Sequence, residues 1–405
     1  MSFNGNEIND KEPIKPNNNL SEEDEEILKT LNISPNKNKI NDNNQDKIEN
    51  NKDNLSKIEE DDNEINDNYI KKYKCDWRLN GITFQNSLDS NKINVAVSSL
   101  NMNTNNNISI LSFNQEDNIK KTEIEDNNDI GDINNNPIIL KSQVECNFPV
   151  SSILFSPHEE NRNLLISTSD ILRIYTYEEE KLSLKVAFTK KRKDYCGPLT
   201  ACDWSHVNNS IVGVSSVDTT CALWDLNKLE VKCMVIAHNK EVYDISLGPD
   251  EYTFMSTGAD GSVRLFDSRT ANSVNILFET REKYPLTRIK WNLLNPNFIL
   301  AVIVDKNEIY VLDQRDLSFP YAILKVHTNV VNNAIWAPQS NTNLISVSDD
   351  KSALIWDIYC DSNQPEEYIM KYEAENEIEN VSWAEATKNW IGIIDGNQAE
   401  ILRIQ

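Results

Sequence analysis

Residues 198–204 read PLTACDW and residues 285–291 read PLTRIKW, near copies whose starts lie 87 positions apart. Self-similarity at a fixed period decides the architecture before any local motif is weighed. The shared template is apolar at its second and fifth places and aromatic or apolar at its seventh. Seven segments fit it, ending at Phe84, Phe155, Trp204, Leu247, Trp291, Trp336 and Trp383. Their spacings are 71, 49, 43, 44, 45 and 47 residues, and the one outlying interval contains an acidic, Asn-rich insert. Each segment reads as a short strand with period-two character.

A second signal follows each segment at a nearly constant distance. Apolar runs close at Leu111, Tyr175, Trp224, Phe266, Leu312, Trp356 and Leu402, after 27, 20, 20, 19, 21, 20 and 19 residues. Further strand-like runs such as NLLISTS and NLISVS lie between the two signals. Units of about 40–45 residues with several strands and Trp-Asp endings, here Trp224–Asp225 and Trp356–Asp357, are the signature of WD-repeat propeller blades. The sequence therefore predicts an all-β, seven-bladed propeller over 69–405. The Trp-Asp position ends the third strand of a blade, and the chain stops three residues after Leu402. The last blade thus lacks a fourth strand and would expose an edge. The segment at 69–77 has no other partner, so Tyr69–Lys74 is expected to supply that strand and close the ring.

Charge is unevenly distributed. The net formal charge is −24, of which residues 1–68 carry −10 and the insert at 114–136 carries −5. Residues 1–68 contain 18 Asn and no aromatic residue after Phe3, too little apolar surface to offset the entropy of ordering. Both stretches are expected to be disordered. The remaining negative balance argues against a nucleic-acid surface. No apolar run reaches membrane-spanning length and no signal sequence is visible. The 7 cysteines include no CxxC pair, which suits neither a zinc site nor a disulfide framework. A cytoplasmic and nuclear protein with no metal or cofactor is expected.

Several residues look chemical. His327, Ser346, Asp350 and Trp356 fall at the spacing of the hydrogen-bonded tetrad that many WD repeats carry, and His238, Ser256 and Asp260 repeat it with Phe266 in place of Trp. Because the set recurs with the blade period and no GxSxG elbow accompanies it, the structural reading is favoured over a nucleophile. His158 and His206 are expected in turns. No phosphate-binding, zinc-protease or calcium-loop motif is present, so no catalytic residue is assigned. The run Lys190, Lys191, Arg192, Lys193 reads as a solvated loop, a nuclear-localisation patch or a dock for an acidic partner. In the tail, Ser21 and Asp24 form a capping-box pattern before Ile27, Leu28 and Leu31, a candidate partner-binding helix too short to be stable alone.

The segments GPLTACDW, SSVDTTCALWDL, AHNKEVYDI, GADGSVRLFDSR, NNAIWAP and EIENVSWA closely resemble the WD-repeat family of WD repeat-containing protein 68 and its plant relative Transparent Testa Glabra. The resemblance covers about 69–405 and implies a seven-bladed, non-catalytic scaffold for proteins; the propeller is expected to be monomeric. It implies partners among dual-specificity tyrosine-regulated and homeodomain-interacting kinases, or among MYB and basic helix-loop-helix transcription factors. It also implies a role as substrate receptor of a cullin-4 ubiquitin ligase, through a WDxR box that meets the ligase's propeller adaptor. The matching places read FDSR and LDQR, where Asp267, Arg269, Asp313 and Arg315 fit and neither Trp is present.

Propellers commonly bind partners where the first strands begin. The candidate contact residues there are Pro198, Thr200, Glu241, Tyr243, Pro285, Thr287, Val330, Asn332, Glu377 and Glu379. Leu199 and Leu286 are expected to face the core and Thr200 and Thr287 to face outward, with Tyr243 the first hot-spot candidate.

Overall fold

A computed structural model of the chain describes residues 70–87, 91–102, 105–115, 138–188, 197–270, 274–359 and 368–404. The expectations for residues 1–68, for most of the insert, for Lys190–Lys193 and for the Ser21–Leu31 stripe fall outside these. Among the described residues the strands form seven four-stranded antiparallel sheets, one per blade, with a single short 3₁₀ turn at Glu159–Asn161. Strands are lettered A to D from the channel outward. The seven A strands, blades 1 to 7, are Leu79–Phe84, Ser152–Phe155, Leu199–Trp204, Val242–Leu247, Leu286–Trp291, Val331–Trp336 and Ile378–Trp383. Among the described residues no helix is long and apolar enough to cross a membrane.

The repeat template explains the inner strands. Residues three apart on a regular strand face opposite sides, so apolar second and fifth places could not share one core. Six A strands resolve the conflict with a bulge at the third place, where the register skips Asn80, Thr200, Tyr243, Thr287, Asn332 and Glu379. One extra residue flips the alternation. In blade 5 this lets Leu286, Ile289 and Trp291 all bury between blades. The fourth and sixth places then turn toward the central channel.

The ring closes as the sequence predicts. Ile70–Lys74 becomes strand D of blade 7, pairing with Gln398–Arg403 from Ile70 opposite Leu402 to Lys74 opposite Gln398. Charge reinforces the seam. Glu400 is fully buried, accepts from Tyr372 Oη at 2.7 Å and lies 2.8 Å from Lys72 Nζ, which also reaches Glu375 at 3.0 Å. Burial alone would lower the Lys72 pKa, but the two carboxylates raise it. On the other side of the seam, Gly392 leaves room for blade 1. A Cβ there would stand 2.6 Å from Ile82 Cδ1 and 3.2 Å from Phe84 Cε2.

Blade 1 departs from the sequence reading in one respect. Its strand C, Asn106–Asn114, continues past Leu111 and takes in Asn114, the first residue of the expected insert. The cause is a long strand B, Lys92–Ser99, whose first residue pairs with Asn114. The five described cysteines are free, and burial pushes the thiols of Cys75, Cys202 and Cys221 up to about 12.

Candidate functional site

The two ends of the ring differ in what their side chains do. At the end where A strands begin, the third-place residue of one blade repeatedly reaches the second-place carbonyl of the next. Asn80 Nδ2 donates to Val150 O at 3.0 Å, Ser151 Oγ to Leu199 O at 2.8 Å, Thr200 Oγ1 to Val242 O at 2.8 Å and Asn332 Nδ2 to Ile378 O at 2.8 Å. Glu379 performs a related task between blades 7 and 1, accepting from Arg78 Nε at 2.7 Å. The sequence reading set Thr200 and Thr287 outward. Instead both are half-buried, Thr200 bonded across the blade junction and Thr287 donating to Val302 O at 3.4 Å within its own blade. The difference has a physical reason: a bulge residue points neither into the core nor into the channel, and its side chain falls across the neighbouring strand. Pro198, Glu241 and Glu377 are exposed, while Pro285, Tyr243 and Val330 are half-buried.

The two His–Ser–Asp sets brace this same end. His327 Nδ1 is 2.9 Å from Asp350 Oδ2, its Nε2 is 2.7 Å from Ser346 Oγ, and Trp356 Nε1 donates to that hydroxyl at 2.8 Å. In blade 4, His238 spans Asp260 at 2.9 Å and Ser256 at 2.8 Å. Phe266 has no N–H to offer and instead stacks on Phe254 at 5.0 Å. Burial, opposed by Asp260, lowers the His238 pKa. Asp260 is held at about 2 despite its burial, because Ser262 and His238 hydrogen-bond its charged form. Ser256 and Ser346 are fully buried, so neither hydroxyl faces a space that a substrate could enter. His158 and His206 lie in bends after their A strands, His158 Nε2 being 2.7 Å from Ser205 O of the next blade.

At the opposite end, the turns after strands C share one motif. The last Asp of the strand accepts the backbone N–H two residues on: Asp225 from Asn227 at 2.9 Å, Asp267 from Arg269 at 2.9 Å, Asp313 from Arg315 at 3.0 Å and Asp357 from Tyr359 at 3.0 Å. The Asp is therefore a turn-former in four blades, a local side-chain-to-backbone bond of the Asx type. What varies is the residue it fixes. Only blades 4 and 5, which are neighbours, place an Arg there, and each Arg forks onto its own Asp. The Nη2–Oδ2 distance is 2.6 Å in both, with Nε–Oδ1 at 3.0 Å for Arg269 and 2.9 Å for Arg315. That pairing holds the Asp267 carboxyl down at about 2. The guanidinium side chains remain 61% and 60% exposed.

Aromatic rings lie beside both. Arg269 lies over Tyr252 at 4.4 Å from the ring centroid. Near Arg315, the exposed rings of Tyr321 and Tyr359 both pack on buried Phe298, at 5.0 and 5.9 Å. Phe319, 70% exposed, lies in the same connection. Sequence reasoning missed this aromatic setting because its members come from three separate connections. A fixed Arg flanked by exposed Tyr and Phe is the composition that binding hot spots favour.

The fold is that of a WD-repeat β-propeller. The family model "WD domain, G-beta repeat" matches residues 230–267 and 318–357. Each match takes strand D of one blade with strands A to C of the next, the stagger that leaves the last blade to be completed by the N-terminal strand. They cover the two repeats that carry the tetrads. The chain is 35% identical over 270 residues to the DDB1- and CUL4-associated factor 7 homolog of Dictyostelium discoideum, covering 65% of this chain and 83% of that protein. WD repeat-containing proteins of Schizosaccharomyces pombe and Saccharomyces cerevisiae match at 30% and 29%, and the chain spans 56% and 48% of their lengths. The chain belongs to the WD-repeat family of DDB1- and CUL4-associated factor 7. Solved structures of the COPII coat assembled on membranes share the fold alone, with a TM-score of 0.63 at 12% identity over 81% of this chain.

Proposed function

We propose that this protein is a non-catalytic scaffold that docks on the propeller adaptor of a cullin-4 ubiquitin ligase through Arg269 and Arg315. The observation that carries the reading is the contrast among the four Asp turns. The turn forms equally well with Asn227 or Tyr359, so the two Arg are not needed to make it, yet they stand on adjacent blades, fixed in direction and open to solvent. The name of the Dictyostelium relative, which couples it to DDB1 and CUL4, supports the same partner. Packing of the Arg fork against Asp267 and Asp313 does for these side chains what an adjacent Trp would do, which is to restrict their rotamers before binding.

Docking at that end leaves the strand-start end for clients. The family resemblance favours a dual-specificity tyrosine-regulated kinase or transcription factors there, with Pro198, Glu241, Tyr243 and Glu377 as first contacts. The protein would then act in the cytoplasm and nucleus as an adaptor that presents one bound protein to another. Affinity purification of the tagged full chain, followed by mass spectrometry, tests both arms. Recovery of the ligase adaptor by the wild type and its loss with R269A/R315A are expected. A wild type that never retains the adaptor refutes the docking, and a kinase kept by the double variant assigns clients to the other end.

A further inference from the structure

The channel enclosed by the inner strands has a volume of about 470 Å³ and opens among the A–B connections. Its wall comes from the fourth and sixth places of the A strands, and most of its charged side chains are already engaged. Asp203 Oδ2 accepts from Leu247 N at 2.7 Å. Asp244 Oδ2 accepts from Ile289 N at 3.0 Å and lies 3.6 Å from Lys290 Nζ. His206 Nε2 stands 3.0 Å from Glu385 Oε1, joining blades 3 and 7 across the mouth. Arg288 is the exception. The residue is half-buried, with its Nε buried and meeting no acceptor among the described residues.

A buried donor left without an acceptor is destabilising, the more so when it is charged. Arginine cannot escape that cost by losing its proton. A Lys or a Gln at this place would line the channel with less desolvation, so the placement calls for an acceptor from outside. We propose that the channel is a binding site for one carboxylate group, with the Arg288 guanidinium as its anchor. The fork geometry of a guanidinium matches a carboxylate through two parallel hydrogen bonds. Charge in the wall selects a monoanion: Asp203 and Asp244 repel a phosphate dianion more strongly than a single carboxylate. The route inward is apolar on one side, where Ile335 and Trp336 are half-buried and Leu294 is 57% exposed. A cavity of this size admits one or two residues of a peptide and falls in the range of ordinary ligand sites, about 300–1,000 Å³. The carboxylate is therefore an acidic side chain flanked by apolar residues, or the free C-terminus of a peptide with an apolar last residue. This site is distinct from Arg269 and Arg315, and its loss leaves the docking surface intact.

Three tripeptides titrated against the full chain by isothermal calorimetry separate the outcomes: acetyl-Leu-Glu-Leu-amide, acetyl-Leu-Gln-Leu-amide and acetyl-Leu-Gln-Leu with a free C-terminus. One charged peptide is expected to bind at least roughly tenfold more tightly than the uncharged one, the size of a lost charge-assisted pair. Which one identifies the source of the carboxylate. R288Q should abolish the difference. L294E, at an exposed position where folding is unaffected, should weaken the charged peptide several-fold and more so at low salt. Equal binding of all three peptides, absence of saturable binding by any, or a charge preference that survives in R288Q would each overturn the proposal.

Discussion

The two ends of the ring begin with similar polar side chains and use them differently. At the strand-start end, Asn80, Ser151, Thr200 and Asn332 spend their hydrogen-bonding groups on the next blade, and two buried His–Ser–Asp sets brace the connections between. At the opposite end, Asp267 and Asp313 complete their turns and leave Arg269 and Arg315 exposed beside aromatic rings. The same kind of residue is structural where it falls between blades and available where it falls beyond them. Position relative to the blade junction, rather than residue type, decides which end is left free to bind.

If the strand-start end and the seam hold the ring together, substitutions there should cost stability. The largest effect is expected at the closing strand. A chain beginning at residue 78 loses all the pairing between Ile70–Lys74 and Gln398–Arg403, and differential scanning calorimetry should show a severe fall in melting temperature relative to a chain beginning at residue 70. Equal melting temperatures would mean that the seam does not close the ring.

Next comes K72A, which strands the fully buried Glu400 without its cation. With Lys72 itself 38% exposed, breaking this pair costs about 1–3 kcal/mol, readable as a lower urea midpoint. E400Q in the same background should restore much of the loss, because the uncompensated charge is gone. A double variant as unstable as K72A alone would assign the cost to lost packing of the Lys72 stem instead.

A smaller loss is predicted for N332A, which removes hydrogen bonds to Ile378 O and to Asp349 Oδ1 at 2.6 Å. Roughly 1–2 kcal/mol of stability should disappear with adaptor binding unchanged. Loss of adaptor binding at full stability would reverse the assignment of the two ends.

The smallest effect is a pH dependence at the seam. Asp395 is fully buried, and burial, followed by the nearby Glu400 charge, pushes its carboxyl up to about 6. A carboxyl with a folded-state pKa above its unfolded value binds protons more readily in the fold, so it adds stability as pH falls through about 6 toward 4. In wild type, stability measured against D395N should rise as the pH is lowered from 7 to 5. Parallel pH profiles for the two proteins would show that Asp395 does not titrate in that window.

Most of the fold was legible because the blade template is periodic and its core positions are apolar. The spacing of apolar second and fifth places already carries the bulge, since two core residues three apart cannot lie on one face of a regular strand. What the bulge residue does was not legible. Thr200 and Asn332 are chemically the same as polar residues on an open surface, and only the neighbouring strand's carbonyl distinguishes them. The tetrads were readable from their recurrence, and the Arg boxes from their likeness to a known motif. The rings around them were not, because Tyr252 and Tyr321 lie in connections that no repeat constrains, and Tyr359 occupies the variable place of the Asp turn. Arg288 was hidden for a related reason. A charge at the fourth place of an inner strand looks like surface until the ring encloses it.

The most direct test of the account is the affinity of the full chain for purified DDB1, measured by isothermal calorimetry for wild type, R269A/R315A and N332A. The account predicts saturable binding by wild type and N332A and a loss of at least about 2 kcal/mol, some thirtyfold, in the double Arg variant at unchanged melting temperature. Full affinity in R269A/R315A would contradict it.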